Sequence, residues 1–234
     1  MDWIPNFDHY KHISFDLWLT IIRSNPQFKN KRNELFRDYF KIDKPMEELT
    51  AVIRNMDLLT NTINEKVGKN LDTYEIYLLI LGNLTDGKIE RYTKKDLDGF
   101  YKETEELLFA YKPLLIHDTI PQVLETLHAK GIGMNILSNT AFIKGSSLRK
   151  ILEHYEISRY FSFQLYSDEI GYSKPNQQLY QYAYDMILQT NDIKKSEIIH
   201  VGDNVVSDYD GALTFGFNAH LLKTNLNEPN LQPA

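Results

Sequence analysis

The chain contains no cysteine among its 234 residues. That one absence rules out disulfides, thiol nucleophiles and thiolate metal sites. Long apolar runs are missing as well, since no stretch approaches the roughly 20 residues of a membrane span. Residues Met1 to Asn6 lack a basic segment and an apolar h-region, so no signal peptide is expected. Asn83-Leu84-Thr85 matches a glycosylation sequon, read as chance without a secretion signal. Positive charge is not in excess: 26 Lys and Arg face 32 Asp and Glu, and the net charge of -6 argues against a nucleic-acid surface. Repeats and low-complexity segments are absent too. The expected setting is the cytoplasm, without nucleic-acid or membrane partners. What remains is an ordinary globular composition, 42% hydrophobic and 25% charged. It is long enough for one domain with a large insertion, or for two domains.

Residues 13 to 20, Ile-Ser-Phe-Asp-Leu-Trp-Leu-Thr, hold a short apolar run that ends on one acid, Asp16. This reads as a buried parallel strand whose last residue emerges at the carboxyl edge of a sheet, where open α/β sheets place their chemistry. A bare buried carboxylate is costly, so Asp16 needs a cation or donors, unless it merely caps a turn. After Thr20 the periodicity is helical for about ninety residues. Ser24-Asn25-Pro26 suits a helix start, with Leu35, Phe36, Tyr39 and Phe40 on one stripe. A second helix carries Leu49, Val52, Ile53, Met56, Leu59, Ile63 and Val67 and stops at Gly68. Asp72 and Glu75 form a capping box for a third, ending near Gly82, and Thr93 opens a fourth that closes before Pro113. Four amphipathic helices with short loops imply a bundle.

From Thr119 helix and strand alternate. Helices are expected at 121–130, 146–154, after Pro175 and at 209–215; strands at 132–137, 161–166, 197–201 and 219–222. The tail from Asn225 is expected to fray. Such alternation implies a parallel sheet with helices on both faces. The strand at 13–16 joins that sheet across the bundle, which makes the bundle an insertion.

Polar groups recur just past the strand ends. Asp16 follows the first strand, Ser138-Asn139-Thr140 the second, Lys174 lies beyond the third, and Gly202-Asp203-Asn204 with Asp208 follows the fourth. Taken singly, each has a plainer role: Ser138 and Asn139 as a turn or cap, Lys174 as a solvated lysine, Asp203 and Asp208 as helix caps. In a doubly wound sheet all four converge on one crevice, and the set suits an anion beside a divalent cation.

These residues resemble the haloacid dehalogenase superfamily. Its first motif, Asp-x-Asp-x-Thr, reads Asp16-Leu17-Trp18-Leu19-Thr20 here. The second is the strand end at Ser138, and the third is Lys174-Pro175. The fourth runs from Gly202-Asp203 through Asp208 to Gly211-Ala212. The resemblance implies a Rossmann-like α/β core at 1–22 and 114–234, with a four-helix cap at 23–113. It implies a hydrolase, most often a phosphatase, acting on a small phosphorylated metabolite as a monomer or homodimer. Asp16 would be the nucleophile. Thr20, Ser138, Asn139 and Lys174 would bind substrate, with Ser138 and Lys174 also catalytic. Mg²⁺ would be held by Asp16, the backbone carbonyl of Trp18 and Asp203, supported by Asp208.

One position departs from the family pattern. Phosphatases of the superfamily carry a second aspartate where this chain has Trp18, and indole cannot exchange a proton near neutral pH. A positioned acid or base is worth about 10²–10⁴ in rate. A substitute could come from the cap, or from His117 or Asp118. Metal-free dehalogenation is the competing reading, because dehalogenases of the superfamily also lack that aspartate; a non-enzymatic role is a third. Arg23, Tyr39, Tyr74 and Tyr77 are further candidates to touch substrate, with salt bridging or packing as their plainer roles.

Overall fold

A computed structural model describes residues 4–5, 7–190 and 192–222; the tail from Asn225 lies outside them. Strand β1 (His12–Phe15) is buried along its whole length. After a turn and strand β2 (Ile22–Arg23), the chain enters four helices. These are α1 (Pro26–Phe40), α2 (Met46–Val67), α3 (Thr73–Leu84) and α4 (Lys94–Ala110). It returns through β3 (Leu114–Leu115), which pairs antiparallel with β2. Ile116 N donates to Ile21 O at 2.9 Å, so the outgoing and returning passages are bonded to each other. Two-residue strands leave no periodic trace, and this ribbon was not anticipated.

Local chemistry sets the helix ends. Asn25 caps α1 by accepting from Gln27 N at 3.0 Å, with Pro26 in the first turn. Capping boxes open α3 at Asp72 and Glu75, and α4 at Thr93 and Asp96. Gly68 ends α2 at φ 69°, a left-handed conformation that suits glycine, and a Cβ there would press on Asn176. Phe36, Phe40, Tyr77 and Phe100 fill the middle of the bundle, with ring centroids 4.8 to 6.3 Å apart.

Helix α2 departs from the expected stripe. Leu49 and Ile53 are buried, but Leu59 and Val67 are 46% and 62% exposed. The buried face continues instead through Asp57, Thr60 and Asn64. The apolar stripe fails because the second half of α2 faces charged partners and a polar cavity, not the bundle core.

The rest of the chain is α5 (Ile120–Ala129), β4 (Gly133–Ser138), α6 (Gly145–His154), β5 (Phe163–Tyr166), a one-turn α7 (Ser167–Ile170), α8 (Gln177–Leu188), β6 (Ile198–Gly202), α9 (Gly211–Phe215) and β7 (Asn218–Leu221). The helix expected at 209–215 is a π-helical turn, Val205–Asp210, that runs into α9. All pairings within the five-stranded sheet are parallel, in the order β5-β4-β1-β6-β7. The order reverses across β1, so the carboxyl ends of β1, β4 and β6 border one crevice. The three central strands are buried almost throughout, whereas the edge strand β7 is half-buried at every residue. Among the described residues, no helix is long and apolar enough to cross a membrane.

Candidate active site

Strand register brings the separate segments together. Asp16 directly follows β1, Ser138 ends β4 and Asp203 directly follows β6. Asp16 N donates to Val201 O at 2.9 Å, which pins the acid beside β6. The Lys174 ammonium is buried and donates to Asp16 Oδ1 at 2.8 Å, Asp208 Oδ1 at 2.6 Å and Leu137 O at 2.6 Å. Those three bonds use all its protons. Ser138 Oγ adds a bond to Asp16 Oδ1 at 3.1 Å. The Asn139 side chain clamps the backbone of Lys174, donating to its carbonyl at 3.0 Å and accepting from its N–H at 2.7 Å. The loop that carries the lysine is thereby fixed to the end of β4.

Carboxylate oxygens of Asp16, Asp203 and Asp208 lie within 4.8 Å of one another. Burial pushes the Asp16 and Asp203 carboxyls up, and neighbouring carboxylate charge adds to this, against the pull of Lys174. Burial also works against the Asp208 carboxylate, but Lys174 and His200 outweigh it and hold Asp208 well below the usual range. For Lys174 itself, burial is overcome by Asp16 and Asp208, so the ammonium stays charged. One cation thus faces three acids. Hard oxygen donors this close, with negative charge to compensate, fit a divalent cation.

A buried polar row supports Asp208 from inside the sheet. Ser14 of β1 is in register with Asn135 of β4 on one side and His200 of β6 on the other. Asn135 Nδ2 donates to Ser14 Oγ at 3.2 Å, and His200 Nδ1 faces the same oxygen at 3.0 Å. Ser14 then gives its proton to Nδ1, and His200 Nε2–H points at Asp208 Oδ1, 3.2 Å away. Burial, and then the nearby Lys174 charge, lower the His200 pKa and keep the ring neutral. Asp208 Oδ2 accepts from Asn204 N at 3.0 Å. Gly202 is needed here, because a Cβ would collide with the Asp208 carboxylate. Sequence reasoning passed over Ser14, Asn135 and His200, whose alignment depends on strand register.

Above the sheet edge lies a cavity of about 160 Å³ that opens to solvent. The core contributes Asp16, Trp18, Leu19, Asn139, Phe142, Lys174 and Asp203 to its lining, and α2 contributes Asn61, Asn64 and Glu65. Thr20 is a correction to the expected set. Its side chain is fully buried, because the turn folds Ile21 N and Ile22 N onto Leu17 O and presents Leu19, at φ 56°, to the cavity instead. His117, Asp118 and Arg23 do not line the cavity either; His117 Nδ1 pairs with Thr119 Oγ1 at 2.8 Å. Tyr77 is buried in the bundle, Tyr74 bonds Asp98 at 2.7 Å, and Tyr39 packs on Phe100.

The insertion is strapped to the core beside the site. Glu65 Oε1 accepts from Asn204 Nδ2 at 2.8 Å and from Ser207 Oγ at 3.2 Å. Asn204 is itself oriented by capping, since its Oδ1 accepts from Val206 N and Ser207 N, both at 2.8 Å. Asn176 Nδ2 donates to Gly68 O at 2.9 Å, and Ser167 Oγ to Asn70 Oδ1 at 2.7 Å.

Residues 10–216 match the family of haloacid dehalogenase-like hydrolases, and the chain belongs to that family. It is 28% identical over 128 residues to (S)-2-haloacid dehalogenase 4A of Burkholderia cepacia, covering 55% of this chain and 52% of that protein. The chain spans about half the length, or less, of the curated relatives it matches. A magnesium-bound HAD-hydrolase of Bacillus subtilis is similar in structure, with a TM-score of 0.70 at 15% identity, over 97% of this chain and 93% of that one. A HAD phosphatase from Thermococcus onnurineus gives 0.65 at 21%, over 93% and 88%. At such identities the structural likeness is one of fold.

Proposed function

We propose that this hydrolase is a Mg²⁺-dependent phosphatase of a small phosphorylated metabolite, with residues 23–113 as a cap over a core of 1–22 and 114–234. The observation that carries this reading is the retention of Asp203 beside Asp16 and Asp208, a third carboxylate within 4.8 Å that one lysine does not balance. Asp16, Asp203 and the Trp18 carbonyl would hold the ion, with Asp208 in support. When bound, Mg²⁺ supplies the positive charge that lets a phosphate dianion approach a carboxylate. Asp16 attacks phosphorus and forms an aspartyl-phosphate, which water then hydrolyses. Lys174 fixes the nucleophile and offsets charge, while Ser138 and the Asn139 backbone orient the phosphoryl oxygens.

Trp18 and the likeness to the Burkholderia dehalogenase favour a second reading, displacement of halide from a 2-haloacid. Against it, such a substrate brings its own carboxylate. Among the described residues, Lys174 is the only Lys or Arg lining the cavity, and it is already bonded to Asp16 and Asp208. A panel of phosphorylated metabolites, assayed with and without Mg²⁺ beside an Asp16→Asn control, separates the two. The phosphatase reading expects turnover that needs both the metal and Asp16. Halide release from a 2-haloacid in excess chelator would replace it with the other.

A further inference from the structure

We infer that Glu65, in the last turn of α2, is the proton-transfer residue of this site and takes the place of the acid missing at Trp18; this rests on the phosphatase reading. Among the described residues, five ionisable side chains line the cavity: Asp16, Glu65, Lys174, Asp203 and Asp208. Lys174 has spent its protons on Asp16, Asp208 and Leu137 O. Asp208 is committed to Lys174, His200 and Asn204 N. Asp16 is the nucleophile, and Asp203 belongs to the crowded carboxylate set. Among the described residues, Glu65 is the one ionisable lining residue from the insertion, and its carboxylate reaches the segment after β6 at Asn204 and Ser207.

Position fits the task. In an in-line displacement the leaving oxygen departs from the side opposite the attacking one, and Asp16 attacks from the sheet edge. The leaving group therefore faces the wall that α2 builds. Glu65 is held there through one oxygen only, Oε1, by Asn204 Nδ2 and Ser207 Oγ. The described residues give Oε2 no hydrogen bond. The end of α2 is tied down independently through Gly68 and Asn70, so the carboxyl is positioned without being the sole strap.

The proton accounting closes. As Asp16 bonds to phosphorus and the bond to the leaving oxygen breaks, the Glu65 carboxyl gives its proton to that oxygen, releasing an alcohol. Water then enters from the vacated side, gives a proton to the Glu65 carboxylate and bonds to phosphorus. The phosphorus–Asp16 bond breaks, which frees inorganic phosphate and restores the Asp16 carboxylate.

Glu65→Gln tests this, because the amide oxygen can still accept from Asn204 and Ser207. With Mg²⁺ and β-glycerophosphate, a poor leaving group, kcat/KM should fall by about 10²–10⁴. With p-nitrophenyl phosphate, whose leaving group needs no acid, the variant should release one rapid equivalent of nitrophenolate. Its phosphoenzyme should then persist as a phosphoryl adduct in intact-mass spectra, because the second step lacks its base. Adding Trp18→Asp to Glu65→Gln should restore part of the β-glycerophosphate rate. An unchanged β-glycerophosphate rate in Glu65→Gln, or equal losses on both substrates with no burst, overturns the assignment while leaving the phosphatase reading intact. Absence of any phosphate hydrolysis by the unsubstituted protein with Mg²⁺ overturns both.

Discussion

The sheet edge and the last turns of α2 face the same cavity but hold their polar groups differently. At the edge, Asp16, Ser138, Lys174 and Asp208 are buried and bonded to one another or to the strands beneath. On α2, Asn61 and Glu65 are only partly buried, and Glu65 leans on a loop that it does not share a sheet with. The first arrangement is rigid, as transition-state chemistry requires; the second can vary without disturbing the core. Substitutions at the edge should therefore cost turnover and stability together; those on α2 should spare stability and, Glu65 apart, change which substrates are handled.

The largest effect expected is from Asp16→Asn, which removes the nucleophile and should lower kcat by at least ~10³-fold in steady-state assays. Equal rates in variant and parent would show that the edge is not where reaction occurs. Next comes Lys174→Met, which leaves Asp16 and Asp208 buried without their cation. Urea unfolding should report a loss of about 3–5 kcal/mol. A loss no greater than that of a surface substitution would contradict the tight edge.

The comparison extends to acid. His12 lies in the core strand β1, where burial lowers its pKa from 6.5 to about 4 against the hydrogen bond its Nε2–H donates to Asn135 Oδ1. Between those values the unfolded chain binds a proton that the native chain does not, so the native state loses up to about 3 kcal/mol as pH falls. In the insertion the sign reverses. Burial pushes Asp57 up from 3.8 to about 6, opposed by Arg32 and Arg54. There the native chain keeps a proton the unfolded chain has lost, so acidification through that window stabilises it, again by about 3 kcal/mol. Urea titrations near pH 7 and near pH 4.5 read both contributions. Relative to the parent, His12→Asn should lessen the loss in acid, and Asp57→Asn should deepen it. The same sign for both variants would refute the opposition.

The smallest effect belongs to Asn61→Ala. One lost hydrogen bond to a neutral group, about 0.5–1.5 kcal/mol, should change kcat/KM by roughly threefold to tenfold for substrates that reach α2. It should leave a short substrate such as acetyl phosphate unaffected. A uniform loss across substrates would mean that α2 shapes the edge itself.

These two walls were not equally legible. Asp16, Ser138, Lys174, Asp203 and Asp208 stand out because each lies at or within a few residues of a strand end or in the segment beyond it, and strand ends are fixed by alternation that a single chain displays. Thr20 was misjudged because a turn of a few residues, with Leu19 in a left-handed conformation, decides which side chain faces the cavity. The row Asn135–Ser14–His200 depends on pairing between segments over a hundred residues apart, which no local pattern records. Glu65 was missed for a different reason. Its helix was read as apolar through Leu59, Ile63 and Val67, while Asp57, Asn61, Asn64 and Glu65 recur at the same helical spacing on the face that is actually covered.

The central claim is that the sheet edge assembles a carboxylate nucleophile, a lysine and a dication site for phosphoryl transfer. Its most direct test is the rate of p-nitrophenyl phosphate hydrolysis as Mg²⁺ is removed with chelator and then restored, for the parent and for Asp203→Asn. The parent should fall to background in chelator and recover with Mg²⁺, and the variant should need far more metal or fail to recover. Undiminished activity of the parent in excess chelator would contradict the claim.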